Sequence, residues 1–287
     1  MIELQHLTVG YGKLRGLEAR LDFPFSRRPL VLALPSGAQM QAEGAKASEK
    51  VVLADINQFL REGQMVCLLG ANGVGKSTIL RTLAGFLPPL SGKVLLNGRD
   101  LLSFSLSERS RAVSVVLTER VEVPYMKVAD LVGMGRSPYT GFFGTLSKED
   151  RAIVGEAIEM VGISHLAQRT IDTLSDGERQ KALLAKALAQ QTPIILLDEP
   201  TAFLDFHAKV STLRLMLRLA HETNKIIFLS THDVEMAIQL SDALWIVQDG
   251  IIQAGTTASL TENGTLQSFL QAEGITFDEK ECTLKIR

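Results

Sequence analysis

The sequence predicts an α/β fold with a mostly parallel β-sheet covered by helices on both faces. Short apolar runs alternate with longer segments of helical character between residues 64 and 240. Glycine-rich or Asn-Gly turns follow two of these runs. The chain has 287 residues, 46% of them hydrophobic, which is enough to bury a substantial core. Strands that alternate with helices favour parallel pairing with crossover helices.

The first part of the chain predicts one strand and then an interruption. Residues 2–9 alternate loosely in hydropathy and predict an edge strand. Residues 13–50 contain Pro24, Pro29 and Pro35 and a small, polar stretch, so they predict a long insertion. Regular structure resumes at Val51. The next predicted elements are a strand at 64–69, a helix at 76–83, a strand at 92–96 before Asn97-Gly98, and a strand at 112–117.

The second half predicts a helical region followed by alternating elements. Residues 127–162 are mostly helical in character and are broken around 133–144. The run Ser147-Lys148-Glu149-Asp150 predicts a capping box at the start of the helix after this break. The later predicted elements are helices at 178–190, 207–223 and 234–240 and strands at 194–197 and 226–230.

Composition excludes several classes of protein. Thirty basic residues oppose 32 acidic ones, giving a formal charge of −2, and no basic stripe indicates nucleic acid. Cys67 lies in an apolar run and predicts a buried thiol, and two cysteines far apart in sequence do not predict a disulfide framework. We expect no signal peptide. The apolar runs are far shorter than the roughly 20 residues of a membrane span, so the chain is predicted not to cross a membrane by itself.

A phosphate-binding loop is predicted at residues 70–77, Gly-Ala-Asn-Gly-Val-Gly-Lys-Ser. Its glycines allow backbone N–H groups to approach phosphate oxygens at the start of a helix. Lys76 can reach the β- and γ-phosphates, and the Ser77 hydroxyl is a potential Mg²⁺ ligand. A chance glycine-rich turn is the alternative, but the loop follows a predicted strand and opens a predicted helix. The pattern therefore predicts a nucleotide site.

Two carboxylates end a predicted buried strand at residues 194–197. Charged groups at such a position are costly unless a cation or polar group accompanies them. Asp198 is predicted to hold Mg²⁺ through water, and Glu199 to orient or deprotonate an attacking water. A solvated strand end with ordinary acids is the alternative.

The run Leu174-Ser175-Asp176-Gly177-Glu178 supports two interpretations. Ser-x-x-Glu before a helix is a capping box. The same geometry also offers a helix N-terminus and a hydroxyl to an anion. Its position about twenty residues before the acidic strand favours the second interpretation.

The order of these motifs, followed by Ser230-Thr231-His232, resembles the ABC (ATP-binding cassette) ATPase family. The resemblance covers nearly the whole chain apart from the insertion and the last thirty residues. It implies a P-loop NTPase fold: a RecA-like parallel sheet flanked by helices, with a small antiparallel β subdomain and an inserted helical subdomain. It implies ATP and Mg²⁺ as ligands, and a head-to-tail homodimer that encloses two nucleotides.

The resemblance also assigns roles to single residues. Glu199 and His232 are implied to be catalytic, with His232 sensing the γ-phosphate. Residues implied to contact ATP bound by the other copy are Ser175, Asp176, Gly177, Glu178 and Asp205. The family usually has Gly at 176 and Gln at 178, so the present residues predict a contact that is weaker or more dependent on metal.

The remaining implied ligands lie on the nucleotide of the same chain. Tyr11 matches the aromatic residue that stacks on adenine. The full predicted ATP-binding set is Tyr11, Gly70, Asn72, Gly73, Gly75, Lys76, Ser77 and Thr78. Where the family has a glutamine near Mg²⁺, this chain offers Thr118 or Glu119, and we predict that one of them replaces it.

A further resemblance concerns the type of transporter. The run Gly135-Arg136-Ser137-Pro138 resembles a segment of the ATPases of iron–siderophore, haem and cobalamin importers, with an ordinary exposed helix–loop junction as the alternative. The resemblance implies two integral permease subunits, indirectly a substrate-binding protein, and a place on the cytoplasmic face of the inner or plasma membrane. Exporter ATPases of lipids or drugs and soluble ABC ATPases are the alternatives, whereas a P-loop kinase or GTPase would not explain the Leu-Ser-x-Gly helix start or His232.

The same resemblance sets the predicted domain boundaries. An ATPase domain is expected over residues 1–255, with its core at 1–117 and 175–255, the insertion at 13–50 and a helical subdomain at 118–174. Residues 256–287 are expected to form a C-terminal extension.

Overall fold

The computed structural model describes residues 1–12, 50–117, 125–141, 143–272, 275–278 and 283–286. The predicted insertion lies outside these residues except at its last position, Lys50. The strands are β1 (Ile2–Tyr11), β2 (Lys50–Leu60), β3 (Met65–Leu69), β4 (Ser91–Leu96), β5 (Arg99–Asp100), β6 (Val113–Val116), β7 (Ile194–Leu197), β8 (Ile226–Ser230), β9 (Ala243–Gln248), β10 (Ile251–Gly255), β11 (Ile275–Asp278) and β12 (Thr283–Ile286). The α-helices are α1 (Lys76–Leu83), α2 (Leu106–Ala112), α3 (Val128–Gly133), α4 (Lys148–Met160), α5 (Asp176–Ala189), α6 (Phe206–Thr223), α7 (Val234–Leu240), α8 (Thr257–Glu262) and α9 (Thr265–Ala272).

A six-stranded sheet of order β10-β9-β3-β8-β7-β6 forms the centre of the fold. Pairing is parallel throughout except between β9 and β10. The central strands are continuous apolar runs, and every residue of β3, β7 and β8 is buried. Strands of this kind need cover on both faces. The prediction of a mostly parallel sheet is therefore confirmed.

The two faces of this sheet belong to two hydrophobic cores. Along β3, Met65, Cys67 and Leu69 join one core, whereas Val66 and Leu68 join the other. The first core contains α3 to α7, and the second contains α1 and the strands of a smaller sheet. Cys67 is buried as predicted, and burial raises the pKa of its thiol to about 12. Among the described residues, no helix combines the length and hydrophobicity needed to cross a membrane.

The smaller sheet is antiparallel, with strand order β2-β1-β4-β5. The prediction that residues 2–9 form an edge strand was wrong, because β1 pairs with β2 on one side and β4 on the other. The Asn97-Gly98 turn is confirmed, and both residues have positive φ, 49° and 80°. Such angles match the twist of a two-residue hairpin, here between β4 and β5.

The helical region after β6 is broken as predicted. After α3 comes a 3₁₀ turn at Met134–Arg136, and α4 then begins at the predicted capping box. The Ser147 hydroxyl accepts from the Asp150 N–H at 3.0 Å, and Asp150 accepts from the Ser147 N–H at 3.0 Å. The division of the chain into subdomains at residues 118, 174 and 255 stays a prediction.

Arg136 ties this region to the end of α5. It is 4% exposed, so the alternative in which it marks an exposed helix–loop junction is wrong. Its guanidinium donates to Asp150 Oδ1 at 2.9 Å and to the carbonyl oxygen of Ala189 at 2.8 Å, and it lies 4.0 Å from the centre of the Tyr139 ring. Hydrogen bonds from the Ser147 hydroxyl and from Arg136 lower the pKa of Asp150 to about 2.

The Arg136–Asp150 contact predicts a pH-dependent stability. Asp150→Asn should lower the midpoint of thermal unfolding at about pH 7, because a buried guanidinium loses its anionic partner. The folded pKa of about 2 lies below the unfolded value of about 3.9. The stabilisation is therefore complete above about pH 4 and is lost as the pH falls towards about 2. Calorimetry of both proteins should show the difference in midpoint shrinking over that range.

Glu149→Gln is the matched control, because Glu149 is an exposed carboxylate in the same helical turn. It should leave the midpoint close to that of the unmodified protein. A difference for Asp150→Asn that stays constant down to about pH 2.5 would contradict the assignment.

Candidate functional site

The glycine-rich loop at residues 70–77 joins β3 to α1 in a tightly turned conformation. Gly70, Gly73 and Gly75 have φ of 155°, 79° and 112°, values that side chains with a Cβ rarely adopt. Gly75 is the residue before α1, and a Cβ placed on it would lie 2.3 Å from Cγ1 of Val52. The close approach of β2 therefore requires glycine at this position.

Lys76, the first residue of α1, folds back over the loop. Its side chain is buried, and Nζ donates to the carbonyl oxygen of Gly70 at 2.6 Å and to that of Ala71 at 3.0 Å. The ammonium is thus held at the mouth of the loop by its own backbone. This places a positive charge beside the glycine-rich loop.

A cavity of about 660 Å³ opens over this loop. It is large enough for a nucleotide-sized ligand. Predicted residues that line the cavity are Tyr11, Asn72, Gly73, Gly75, Lys76, Ser77, Thr78 and Glu199. Gly70, Asp198 and His232 are not part of this lining.

Asp198 and Glu199 follow β7, and a serine of the neighbouring strand holds the carboxylate of the first and the backbone N–H of the second. The Ser230 hydroxyl, fully buried, donates to Asp198 Oδ1 at 2.7 Å and accepts from the Glu199 N–H at 2.9 Å. Glu199 has a positive φ of 47°, which is a strained conformation for a residue other than glycine. Ser230 thus fixes the Asp198 side chain and the Glu199 backbone, and no role was predicted for this serine from the sequence.

His232 reaches the second of these acids. Its Nε2 lies 2.5 Å from Glu199 Oε1. At this distance an N–H on Nε2 would donate to the Glu199 carboxylate, which accepts hydrogen bonds. Both side chains remain partly exposed, His232 at 43% and Glu199 at 27%. The structure therefore brings the two predicted catalytic residues together at the border of the cavity.

The predicted Leu-Ser-x-Gly segment forms a capping box at the start of α5. The Glu178 carboxylate accepts from the Ser175 N–H at 2.8 Å and from its hydroxyl at 3.0 Å. These two bonds lower the pKa of Glu178 below its usual value, and the bond from the backbone N–H has the larger effect. The capping interpretation is confirmed. Ser175 stays exposed, but its N–H and hydroxyl both donate to the Glu178 carboxylate, so an incoming anion would compete with that carboxylate for them.

The residues predicted to act in a second copy form one surface away from the cavity. Asp205 caps α6 by accepting from the Ala208 N–H at 2.8 Å. A Cβ placed on Gly177 would lie 3.6 Å from the Cβ of Ala208, so the start of α5 and the start of α6 are adjacent. Ser175, Asp176 and Asp205 are exposed, and none of them lines the cavity.

Tyr11 lies at the end of β1 and lines the cavity. The residue is 48% exposed, and its hydroxyl lies 3.2 Å from Oγ1 of Thr78 in α1. This position leaves a ring face available at the cavity wall. Stacking on adenine stays a prediction.

Two predicted residues lie outside the described part of the chain, and some residues of the cavity were not predicted. Thr118 and Glu119 lie outside the described part of the chain. Asp249 and Gly250 line the cavity but were not predicted. Their Asp-Gly pair, with φ of 52° and 78°, joins β9 to β10 and is a hairpin signal that could have been recognised in the sequence.

Known proteins resemble this chain in sequence. The ABC transporter family matches residues 53–202. An uncharacterised ABC transporter ATP-binding protein of Methanocaldococcus jannaschii is 39% identical over 199 residues, 69% of each chain. A cobalamin import ATP-binding protein of Halobacterium salinarum is 37% identical over 77% of this chain but only 55% of its own length. An iron(3+)-hydroxamate import ATP-binding protein of Bacillus subtilis is 34% identical over 80% of this chain and 86% of its own.

Solved structures share the fold. A metal-chelate type ABC transporter in an inward-facing conformation has a TM-score of 0.71 at 22% identity, covering 99% of this chain and 94% of its own. A dimeric ABC transporter cassette, MJ0796, has a TM-score of 0.66 at 23% identity, covering 90% and 99%. The predicted P-loop NTPase fold is thus confirmed. With the family match, these findings show that the chain belongs to the ABC transporter family, as one of its ATP-hydrolysing subunits.

Proposed function

We propose that this chain binds Mg·ATP in the cavity over residues 70–77 and uses its hydrolysis to import a metal chelate through separate membrane subunits. The observation that carries the proposal is the 2.5 Å contact between His232 and Glu199 at the border of the cavity. A base held by an imidazole beside a phosphate-binding loop is suited to activating water at a γ-phosphate.

The loop supports phosphate binding through backbone and side chain together. Its glycines would let backbone N–H groups approach phosphate oxygens, and α1 would add the positive end of its dipole. Lys76 would exchange its bonds to the Gly70 and Ala71 carbonyls for bonds to phosphate oxygens. Tyr11 would offer its ring to the adenine at the wall of the same cavity.

The donor set fits Mg²⁺, which prefers oxygen ligands. The Ser77 hydroxyl lines the cavity, and Asp198 is a carboxylate already oriented by Ser230. We expect Ser77 to bind the metal directly and Asp198 to bind it through water. When bound, the metal neutralises charge on the β- and γ-phosphates.

Hydrolysis needs Glu199 as the residue that orients or deprotonates water. His232 holds its carboxylate from one side, and Ser230 holds its backbone N–H from the other. When a γ-phosphate is present, the partly exposed His232 side chain would contact it and register its loss. Both residues therefore act together at the reacting end of the nucleotide.

A head-to-tail homodimer would complete the site. Ser175, Gly177 and Asp205 lie on one exposed surface and do not reach the cavity of their own chain. In a symmetric dimer, that surface would face the nucleotide of the partner. The dimeric state of a cassette with the same fold supports this arrangement. The Glu178 carboxylate at the start of α5 would weaken the attraction for the partner's γ-phosphate.

Docking to membrane subunits would use the region before α4. Arg136 and Tyr139 hold residues 136–139 against the end of α5, where Tyr139 donates to the Gln190 carbonyl at 3.1 Å. Arg111 of α2 donates to the Pro138 carbonyl at 2.9 Å and ties the same segment to α2. Movement of that region would reach Ser175 at the other end of α5.

The chain would then act at the cytoplasmic face of the membrane. Relatives named for cobalamin and iron–hydroxamate import favour these cargo classes, and haem stays a prediction.

Glu199→Gln tests the hydrolytic mechanism. It should leave ATP binding intact and nearly abolish hydrolysis, because the amide cannot accept a proton from water. Trapped nucleotide should also give a stable ATP-dependent dimer on gel filtration. Glu149→Gln, an exposed glutamate in α4, is the control and should hydrolyse ATP normally. A Glu199→Gln protein that remains monomeric under saturating ATP would count against the enclosed-nucleotide dimer.

Ser230→Ala tests the support of the two acids. It should lower kcat by roughly tenfold or more, because small misplacement of catalytic groups is costly, while ATP binding changes little. Ser114→Ala is the matched control: Ser114 is equally buried in the same sheet, on β6, and donates to the Ile194 carbonyl at the far end of β7. Steady-state kinetics on both proteins should separate them. Equal rates would contradict the role of Ser230.

Transport assays test the cargo. Cells lacking this gene should lose uptake of labelled cobalamin or of labelled ferric siderophore, and the gene should restore it. Haem uptake is measured in parallel. A strain that imports all three normally would exclude this cargo class, whereas ATP hydrolysis by the purified chain would be unaffected by that result.

A further inference from the structure

Asp233 stands at the capping position of α7, but its side chain bonds to other segments instead. It is the residue before α7, where Asp is among the preferred caps, yet its side chain makes no capping bond. Its carboxylate instead accepts from Lys209 Nζ at 2.9 Å through Oδ1 and from Thr201 Oγ1 at 3.3 Å through Oδ2. The carboxylate thus contacts two other segments in place of its own helix.

Each of those segments carries part of the proposed machinery. Thr201 is two residues after Glu199, in a turn where the Ala202 N–H donates to the Glu199 carbonyl at 3.2 Å. Lys209 lies in the first turn of α6, and its N–H donates to the Asp205 carbonyl at 2.9 Å. Asp233 itself follows His232 directly. The Asp233 carboxylate therefore connects the segment of His232 to the turn of Asp205 through the ion pair with Lys209. It also connects that segment to the turn after Glu199 through the hydrogen bond from Thr201.

Partial burial strengthens the attraction within this ion pair. The Lys209 and Asp233 side chains are 23% and 26% exposed, so water and salt screen their attraction less than that of an exposed pair. Thr201 is buried, at 2% exposure, which fixes the position of its hydroxyl. The Asp233 N–H also donates to Thr231 Oγ1 at 3.1 Å, so the backbone around His232 is held on both sides.

We propose that Lys209 and Asp233 form a positioning pair that sets His232 against Glu199 and links this contact to Asp205. The proposal rests on the proposed function of those three residues. Neither member of the pair lines the nucleotide cavity. Both act through His232, so they are positioning residues and not catalytic ones. Loss of the pair would let the segment of His232 shift, and the Asp233 carboxylate would then be free to cap α7.

The pair predicts a particular kinetic pattern. Lys209→Met should lower kcat for ATP by roughly tenfold, since misplacing a catalytic group by about an ångström can cost as much as a hundredfold. The KM for ATP should change less than about twofold, because ATP binding uses other residues. Asp233→Asn should act alike, and the double variant should be no slower than either single one, as expected for residues that act as a unit.

Two further variants separate positioning from general stability. Lys209→Arg keeps the charge and should restore most of the rate. Arg214→Met removes an exposed cation from the same helix and should leave kcat unchanged. Asn is as good a helix cap as Asp, so Asp233→Asn should lose activity without a lower midpoint of thermal unfolding.

The outcomes are distinguishable from a failure of the proposed function. If the unmodified chain does not hydrolyse ATP, or Glu199→Gln hydrolyses it normally, the function itself is wrong. If both behave as proposed but Lys209→Met and Asp233→Asn match Arg214→Met in kcat, only the positioning pair is overturned. Losses in the two single variants that add in the double variant would also overturn it.

Discussion

Parallel pairing of β3, β8 and β7 is the constraint on which the site depends. The register places Leu68 beside Ser230 and Leu229 beside Leu197, so these strands end at the same edge of the sheet. The phosphate loop, the two acids and the segment of His232 all begin at that edge. Because successive side chains of a strand face opposite ways, a slip of one residue would turn Ser230 away from Asp198. The two cores that clamp the sheet thereby fix the catalytic geometry.

The helices extend this constraint from the sheet to the surface. α5 is fixed at its C-terminal end by Arg136 and Tyr139 and presents Ser175 at its N-terminal end. α6 begins next to it and presents Asp205. Both helices pack in the same core against the sheet. In the proposed mechanism, a displacement before α4 would reach the surface proposed to meet a second copy without any change inside the sheet.

The sequence was sufficient for elements whose signals are local. The loop at residues 70–77, the capping boxes at Ser147 and Ser175 and the strand at 194–197 each depend on neighbouring residues, and all were predicted. Pairing between distant segments was not predictable: β1 became an internal strand because β2 and β4 flank it. The role of Ser230 was missed for the same reason, since its partners Asp198 and Glu199 are about thirty residues away in sequence. The burial of Arg136 likewise depends on Asp150 and Ala189.

The left-handed backbone at Glu199 has an evolutionary consequence. A residue other than glycine or asparagine in that region costs about 1–3 kcal/mol of folding free energy, and this protein accepts the cost where its proposed base stands. Selection or engineering for stability alone would favour glycine or asparagine there, and either would remove the carboxylate. Stabilising substitutions elsewhere in the chain can offset this cost, and they leave the Glu199 carboxylate in place. Folding stability and the proposed hydrolytic activity thus favour different residues at this one position.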